Sequence, residues 1–377
     1  MRVEDGPDFY PGARGDVLDG RYELCHQLGH GVYSTTWLAK RRGSTQQASG
    51  STTQYVALKL LSRDATNDVR GRIMLEVDAM KRLRERGPHA GLPVLYEDFA
   101  FDQSAHICLA LNFLGSDVGS FRRSVTNKAL APHVARTIMR QVVDAVAHLH
   151  AQGMVHTDIK PDNILFQVDL TDEEIAAWDA TIEDPTADSP YPCPYTPDCS
   201  PEEAAKIKVV LVDLGQCQWA EGKPTVSQFS AFSLRAPEII LKSDFSPAID
   251  IWAIGCIVFE MLVGRWLFHP VDGEDDWSVE DDHLAKMMEL TGETFSAEIL
   301  ARSPVRDEYF DTQGNLLRVD ELYFVKIQDA MSNYKLLDQD EIALAADLVS
   351  RCCRLDPAAR PSAAELALHP WFSKTDQ

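Results

Sequence analysis

Lysine and arginine are scarce beside acid, 36 against 58, which leaves a formal charge of −22. A surface of that sign repels phosphate backbones and excludes a general nucleic-acid binder. It favours basic partners, because a strong negative field draws in cationic segments. Paired cysteines are lacking too. The eight thiols (Cys25, Cys108, Cys193, Cys199, Cys217, Cys256, Cys352, Cys353) include no C-x-x-C pair and no histidine at zinc-finger spacing. That excludes zinc ribbons and fingers and fits a reduced compartment, although Cys193 and Cys199 could pair if oxidised. Long apolar runs are absent as well. Ile251 to Val263 is interrupted by Glu260 and is too short to span a bilayer. The opening MRVEDGPDFYPGARGD has no apolar segment of the kind a secretory leader carries. A soluble protein with no membrane partner is expected.

What is present suits a globular fold. The chain has 377 residues, 45% apolar and 25% charged, enough for one large domain or two small ones. Residues 1–18 are rich in Gly, Pro and Asp and read as an irregular extension. From Tyr22 to Leu61, RYELCHQL, a glycine-bearing turn, STTWLAK, a polar stretch at 43–54 and YVALKLL predict a β-meander with a loose second loop. Asn67 to Glu85 predicts a helix, with Val69, Ile73, Val77, Met80 and Leu83 at helical spacing. Ala105 to Phe113 reads as a buried strand. After Gly115 the pattern turns helical. Val134, Ile138, Val142, Ala145 and Leu149 form one stripe of a helix opened near Pro132 and closed by Gly153. The expected architecture is α+β in two unequal lobes, 19–114 and 115–377, joined near 112–116. Residues 169–203 hold eleven acidic residues and no Lys or Arg. This reads as an exposed acidic insertion within 167–206, whose start, TDEEIAAWDATI, could form a short helix.

Chemistry concentrates in HTDIKPDN, His156 to Asn163. Asp158 can orient an attacking hydroxyl and accept its proton, Lys160 can neutralise a transferring phosphoryl group, and Asn163 can hold a metal. Phosphoryl transfer needs those roles, because its transition state is stabilised mainly by position and electrostatics. A turn of Asp, Pro and Asn would explain the octapeptide alone. VDLG, Val212 to Gly215, follows an apolar run and places Asp213 at a strand end, where it could ligate a metal bridging phosphates. LGHGVYST, Leu28 to Thr35, has Gly29 and Gly31, which let backbone approach phosphates, though a hairpin also needs glycines. In VALK, Val56 to Lys59, alternation puts Ala57 and Lys59 on one face. An inward Lys59 needs an anionic partner. Glu76 lies on the inward stripe of the next helix and fits, its alternative being a solvated helix charge.

Order and spacing add specificity. GxG, Lys, Glu, HxDxKxxN and DLG are followed by RAPE (Arg235 to Glu238), DIWAIGC (Asp250 to Cys256) and DPAARP (Asp356 to Pro361). Over residues 20–373 the chain resembles a eukaryotic protein kinase. The resemblance implies the bilobal kinase fold, ATP and two Mg²⁺ ions. Lys59 and Glu76 would position the nucleotide. Gly29, Gly31 and Ser34 would form the phosphate loop, and Asn163 and Asp213 would hold metal. Adenine would sit between Leu28, Ala57 and Leu165, with Thr36 in place of the usual apolar residue and Asn112 to Leu114 offering backbone hydrogen bonds. Glu238 and Arg360 would form a structural ion pair.

Three departures from the usual pattern are informative: Ser34 for the third glycine, Thr157 for the Arg before the catalytic Asp, and Leu214 for the Phe of DFG. With LDGRYELCHQLGHG, HTDIKP, HPVDGEDDWSVEDDH followed by LAKMMELTGE, and DPAARPSAAELALHPWF, they resemble the serine/arginine-rich protein kinases. The chain is a divergent member by this reading. The resemblance implies phosphorylation of Ser in Arg/Ser-rich proteins, a part in splicing regulation, and residence in cytoplasm and nucleus. Without the Arg at 157, activity is expected without activation-loop phosphate. Substrate docking would fall to Asp282 and Glu289, seven apart on one helix, with Asp275 nearby and Arg235 kept; a solvated acidic loop is the alternative for 272–282. The groove is incomplete, with Trp266 where the family has another acid. Ala231 stands where a Thr normally braces Asp158 and Lys160, with Ser230 or Ser233 as possible substitutes, and Phe232 replaces an Arg. A monomer is expected. A kinase for another basic substrate and a kinase-shaped scaffold stay open.

Overall fold

A computed structural model describes residues 8–43, 53–103, 105–183, 191–226, 229–273, 276–319 and 321–374. The chain divides into two units, 1–116 with 165–194, and 117–164 with 195–377. The first is built on a sheet and the second on helices, as the α+β reading requires.

The sheet of the small unit runs β1 (Val17–Leu18), β2 (Tyr22–His30), β3 (Ser34–Arg41), β4 (Tyr55–Leu61), β6 (His106–Leu111), β5 (Leu95–Phe101), all antiparallel. Alternation sends Val56, Leu58 and Leu60 into a core with Leu24, Trp37 and Cys108. Ala57 and Lys59 therefore take the other face. Register pairs Leu38 with Ala57, Thr36 with Lys59, and Gly29 with Thr36. Strand β5 was not among the expected strands. Its acids obscure the alternation of LYEDFAF, and the fold neutralises them: Glu97 meets Arg21 at 2.7 Å and Asp98 meets Lys81 at 2.7 Å.

The single helix expected over Asn67 to Glu85 is two, α1 (Arg63–Arg70) and α2 (Glu76–Arg86). Ser62 starts α1 by accepting the Ala65 N–H at 3.1 Å. Gly71 and a left-handed Arg72 (φ 57°) end it. Ile73, assigned to the inward stripe, lies in that break and is 46% exposed.

The acidic insertion groups differently from the reading above, which placed it wholly in the second lobe. Residues 165–194 belong to the small unit. The short helix does form, as α5 (Asp172–Asp179), capped reciprocally by Thr171 and Glu174. Ile175 and Trp178 pack with Leu38, Tyr55, Phe113 and Leu28. Asp172 accepts from the Thr53 hydroxyl at 2.8 Å and the Gln54 N–H at 3.0 Å. Gly115 is required here, because a Cβ would lie 2.3 Å from the Pro192 carbonyl. An acidic exterior thus hides an apolar face that must be covered.

In the large unit, α3 (Val118–Arg123) precedes the long α4 (Pro132–Ala151), whose expected stripe is buried throughout. Short helices α6 (Pro201–Ala204) and α7 (Pro237–Ile240) precede α8 (Ala248–Val263), almost wholly buried, and α9 (Val279–Thr291). Glu260 inside α8 pairs with Arg122. Glu238 and Arg360 form the expected bidentate pair at 2.7 and 2.8 Å. The eight cysteines, all among the described residues, form no disulfide, and no described helix is long and apolar enough to cross a membrane.

Trp178→Ala should destabilise the small unit by about 2–3 kcal/mol through lost aromatic packing. Urea unfolding would show it, and an unchanged midpoint would mean that the insertion is not fastened to the sheet.

Candidate active site

The loop carrying Asp158 hangs from α8. Asp250, in the first turn of that helix and 1% exposed, accepts the His156 N–H at 2.8 Å and the Thr157 N–H at 2.9 Å, and meets His150 Nε2 at 3.0 Å. Thr157 sits at φ 70°, a strained conformation for a β-branched residue that the two bonds hold in place. The Asp158 N–H donates to His156 Nδ1 at 3.2 Å. Nε2 therefore carries the proton and donates to the Val212 carbonyl at 3.0 Å. Neutral His156 links the Asp158 loop to the Asp213 loop. The short strands Met154–Val155 and Gln218–Trp219 pair on either side, and the Thr157 hydroxyl donates to the Gln216 carbonyl at 2.8 Å.

Asp158 is 4% exposed. Its Oδ2 receives Lys160 Nζ at 2.6 Å and Asn163 Nδ2 at 3.1 Å, and the same amide donates to the Asp158 carbonyl at 2.8 Å. Among the described residues Oδ1 has no hydrogen-bond partner, so one oxygen is fixed and the other is left to accept a proton. The Val212 N–H donates to the Asn163 carbonyl at 2.9 Å, which seats Asp213 next to Asn163. Asp213 is itself left-handed (φ 66°) and accepts the Gly215 N–H at 3.3 Å. Asp158, Lys160, Asn163 and Asp213 thus share one constellation.

The small unit holds the other expected group. Lys59 Nζ meets Glu76 Oε1 at 2.6 Å, with Glu76 3% exposed, which decides against a solvated Glu76. Gly29, Thr36 and Lys59 stand in one row across β2, β3 and β4. Ser34 is buried at the start of β3, and Gly31 closes the turn by donating to the Ser34 carbonyl at 2.8 Å. Asn112 is tied to Val94 by its side chain (2.8 Å) and its N–H (3.2 Å), which fixes the start of the segment through Leu114. Leu165 is half-buried on Ile164–Phe166.

Of the two serines beside Ala231, Ser230 touches the catalytic loop. At φ 64°, it donates its hydroxyl to the Thr157 carbonyl at 2.6 Å. Sequence reading missed Asp250 and His156 as positioning groups, although both stand inside quoted motifs.

The protein kinase domain model matches residues 22–372. The chain belongs to the protein kinase family. It is 25% identical to a serine/threonine-protein kinase SRPK of Physarum polycephalum over 97% of this chain and 89% of that one. Against the protein kinase dsk1 of Schizosaccharomyces pombe the figures are 23%, 98% and 85%. Against the dual specificity protein kinase CLK2 of Mus musculus they are 28%, 95% and 65%. The kinase is a serine/threonine protein kinase of the group that contains those enzymes.

The carboxylates expected to dock substrate have internal partners. Asp282 and Glu289 do share α9, but Asp282 holds Lys286 Nζ at 2.6 Å from both oxygens and accepts the Val271 N–H at 2.7 Å. Glu289 accepts the Tyr323 N–H at 2.9 Å. Asp275 lies outside the described residues. Trp266 is 51% exposed and stacks on His269. Arg235 donates to the Phe229 carbonyl at 3.2 Å.

Asp250→Ala should strand two buried N–H groups, at about 1–3 kcal/mol each, and abolish phosphoryl transfer. Ser230→Ala should lower kcat about tenfold with ATP KM unchanged, seen in steady-state kinetics. A wild-type kcat for Ser230→Ala would remove the tether from the catalytic arrangement.

Proposed function

We propose that this kinase transfers the γ-phosphoryl group of ATP to serine in Arg/Ser-rich segments of basic proteins. The observation that carries the transfer is the polarised Asp158 carboxylate, with Oδ2 held by Lys160 and Asn163 and Oδ1 open. Oδ1 would orient the substrate hydroxyl and take its proton as the new P–O bond forms and the bond from the γ-phosphorus to the bridging oxygen breaks, with ADP leaving. Lys160 would offset charge on the transferring group, and Lys59, held by Glu76, would position the phosphates. The donor set fits Mg²⁺, since Asn163 and Asp213 offer hard oxygen ligands. Among the described residues no group of three His, Cys, Asp or Glu could hold a metal by itself. Phosphate oxygens and water would complete the shell, as is usual for Mg²⁺. Mg²⁺, when bound, supplies Lewis-acid stabilisation of phosphate charge.

The −22 charge and the SRPK relatives support a basic Arg/Ser substrate. A different basic substrate is favoured by the internal partners of Asp282 and Glu289 and by Trp266. An incoming Arg would have to share Asp282 with Lys286. A scaffold without activity is opposed by the intact catalytic set. Independence from activation-loop phosphate rests on Thr157, whose hydroxyl binds Gln216 where an Arg would have gripped the phosphate. We place the kinase in cytoplasm and nucleus, as a monomer, by the same kinship.

Unphosphorylated protein made in bacteria should label an Arg-Ser peptide with radioactive ATP more efficiently than a generic basic protein. Equal labelling would favour the broader substrate. Inactivity relieved by phosphorylation within 213–238 would overturn the phosphate-independent reading. Asp158→Ala should abolish transfer, a loss of at least about 10³-fold, with nucleotide binding kept by calorimetry.

A further inference from the structure

A continuous run of stacked side chains connects the segment that carries Ser230 to the interior of the large unit. The Arg235 guanidinium lies 4.7 Å from the Phe232 ring centre. Phe232 stacks on His283 at 5.5 Å and 28°, and His283 packs on Phe268 at 5.6 Å. Phe268 stacks on Trp252 of α8 at 5.3 Å and 10°, and Arg360, bound to Glu238, lies over Trp252 at 5.0 Å. His283 is the odd member. It is fully buried, and among the described residues neither ring nitrogen has a hydrogen-bond partner. A buried imidazole normally fixes at least one nitrogen. Here the ring is used for its flat aromatic surface.

We propose that His283 is an uncharged aromatic prop for Phe232, and that Phe232, held by it, is a positioning residue that sets where the acceptor segment of the substrate lies. Three observations support this. Phe232 is only half-buried, so it has surface to offer, and Ala231 beside it is exposed. The same segment is tied two residues earlier to the carbonyl that precedes Asp158, through Ser230 at 2.6 Å. A shift of Phe232 would therefore be felt at the catalytic loop. The surroundings also keep the imidazole neutral. Burial, then the charges of Arg235 and Lys286, lower its pKa to about 3. Lys286 is paired with Asp282 on the same helix, and Glu280 lies towards Arg235. Neutrality matters because a cationic ring between Phe232 and Phe268 would sit beside Arg235.

The proposal requires the kinase activity but no particular substrate. Full-length Phe232→Ala, His283→Ala and His283→Phe would be compared with wild type by peptide and ATP kinetics, and by hydrogen exchange of the 229–235 amides. Phe232→Ala and His283→Ala should raise peptide KM about tenfold with ATP KM within about twofold. His283→Ala should speed exchange across 229–235. His283→Phe should match wild type in both readouts. The double variant should be no worse than Phe232→Ala, because the two residues act as one. A His283→Phe variant that behaves like His283→Ala would overturn the proposal, as would a wild-type peptide KM in Phe232→Ala. If His283→Ala does not fold, Phe232→Ala and His283→Phe decide the matter. Should wild type label no peptide, the kinase reading fails, and the exchange comparison still tests the prop.

Discussion

One buried carboxylate holds the catalytic loop in shape. Asp250 projects from the first turn of α8 and takes two successive backbone N–H groups, from His156 and Thr157. Two charge-assisted bonds at adjacent residues leave the peptide little freedom, and they offset the strain of a left-handed threonine. Everything reactive is referenced to that point. Asp158 follows directly, Lys160 and Asn163 bind its carboxylate, and His156 passes the constraint to Val212 and so to Asp213.

The same economy appears where charges are buried. Glu238 with Arg360, Glu260 with Arg122, Glu341 with Arg136, and Lys59 with Glu76 each place opposite charges out of water with direct hydrogen bonds. Such pairs fix geometry more than they add stability, because desolvation cancels much of the attraction. Removing one partner leaves a bare buried charge, so these positions tolerate little change. The acidic excess of the chain is therefore a surface property, of the sign that draws in cationic segments. Asp282 shows the limit of counting surface carboxylates: the fold has already given it a lysine.

Much of the site was legible because phosphoryl transfer demands particular groups in a particular order. Lys59 needed an anion, and Glu76 supplied it. The β4 alternation assigned faces correctly, since period two is a property of extended backbone. Legibility failed where local pattern and tertiary demand diverge. Gly71 and Arg72 broke an apolar periodicity that ran on through Ile73. The acids of β5 hid a strand that Arg21 and Lys81 neutralise from elsewhere. The acid-rich insertion read as solvated, yet Ile175 and Trp178 needed a surface to cover them.

The sequence by itself determined the chemistry and the family, because those depend on which functional groups exist and on their spacing within short loops that have few ways to fold. It also determined strands β2, β3, β4 and β6 and the long helix α4, whose periodicity is written in the order of residues. Tertiary structure alone decided which serine braces the catalytic loop, that Glu289 holds the Tyr323 N–H, and that an imidazole would be buried against Phe232. Those outcomes depend on contacts between residues tens of positions apart, and such contacts form only when a shared core brings distant segments to the same place.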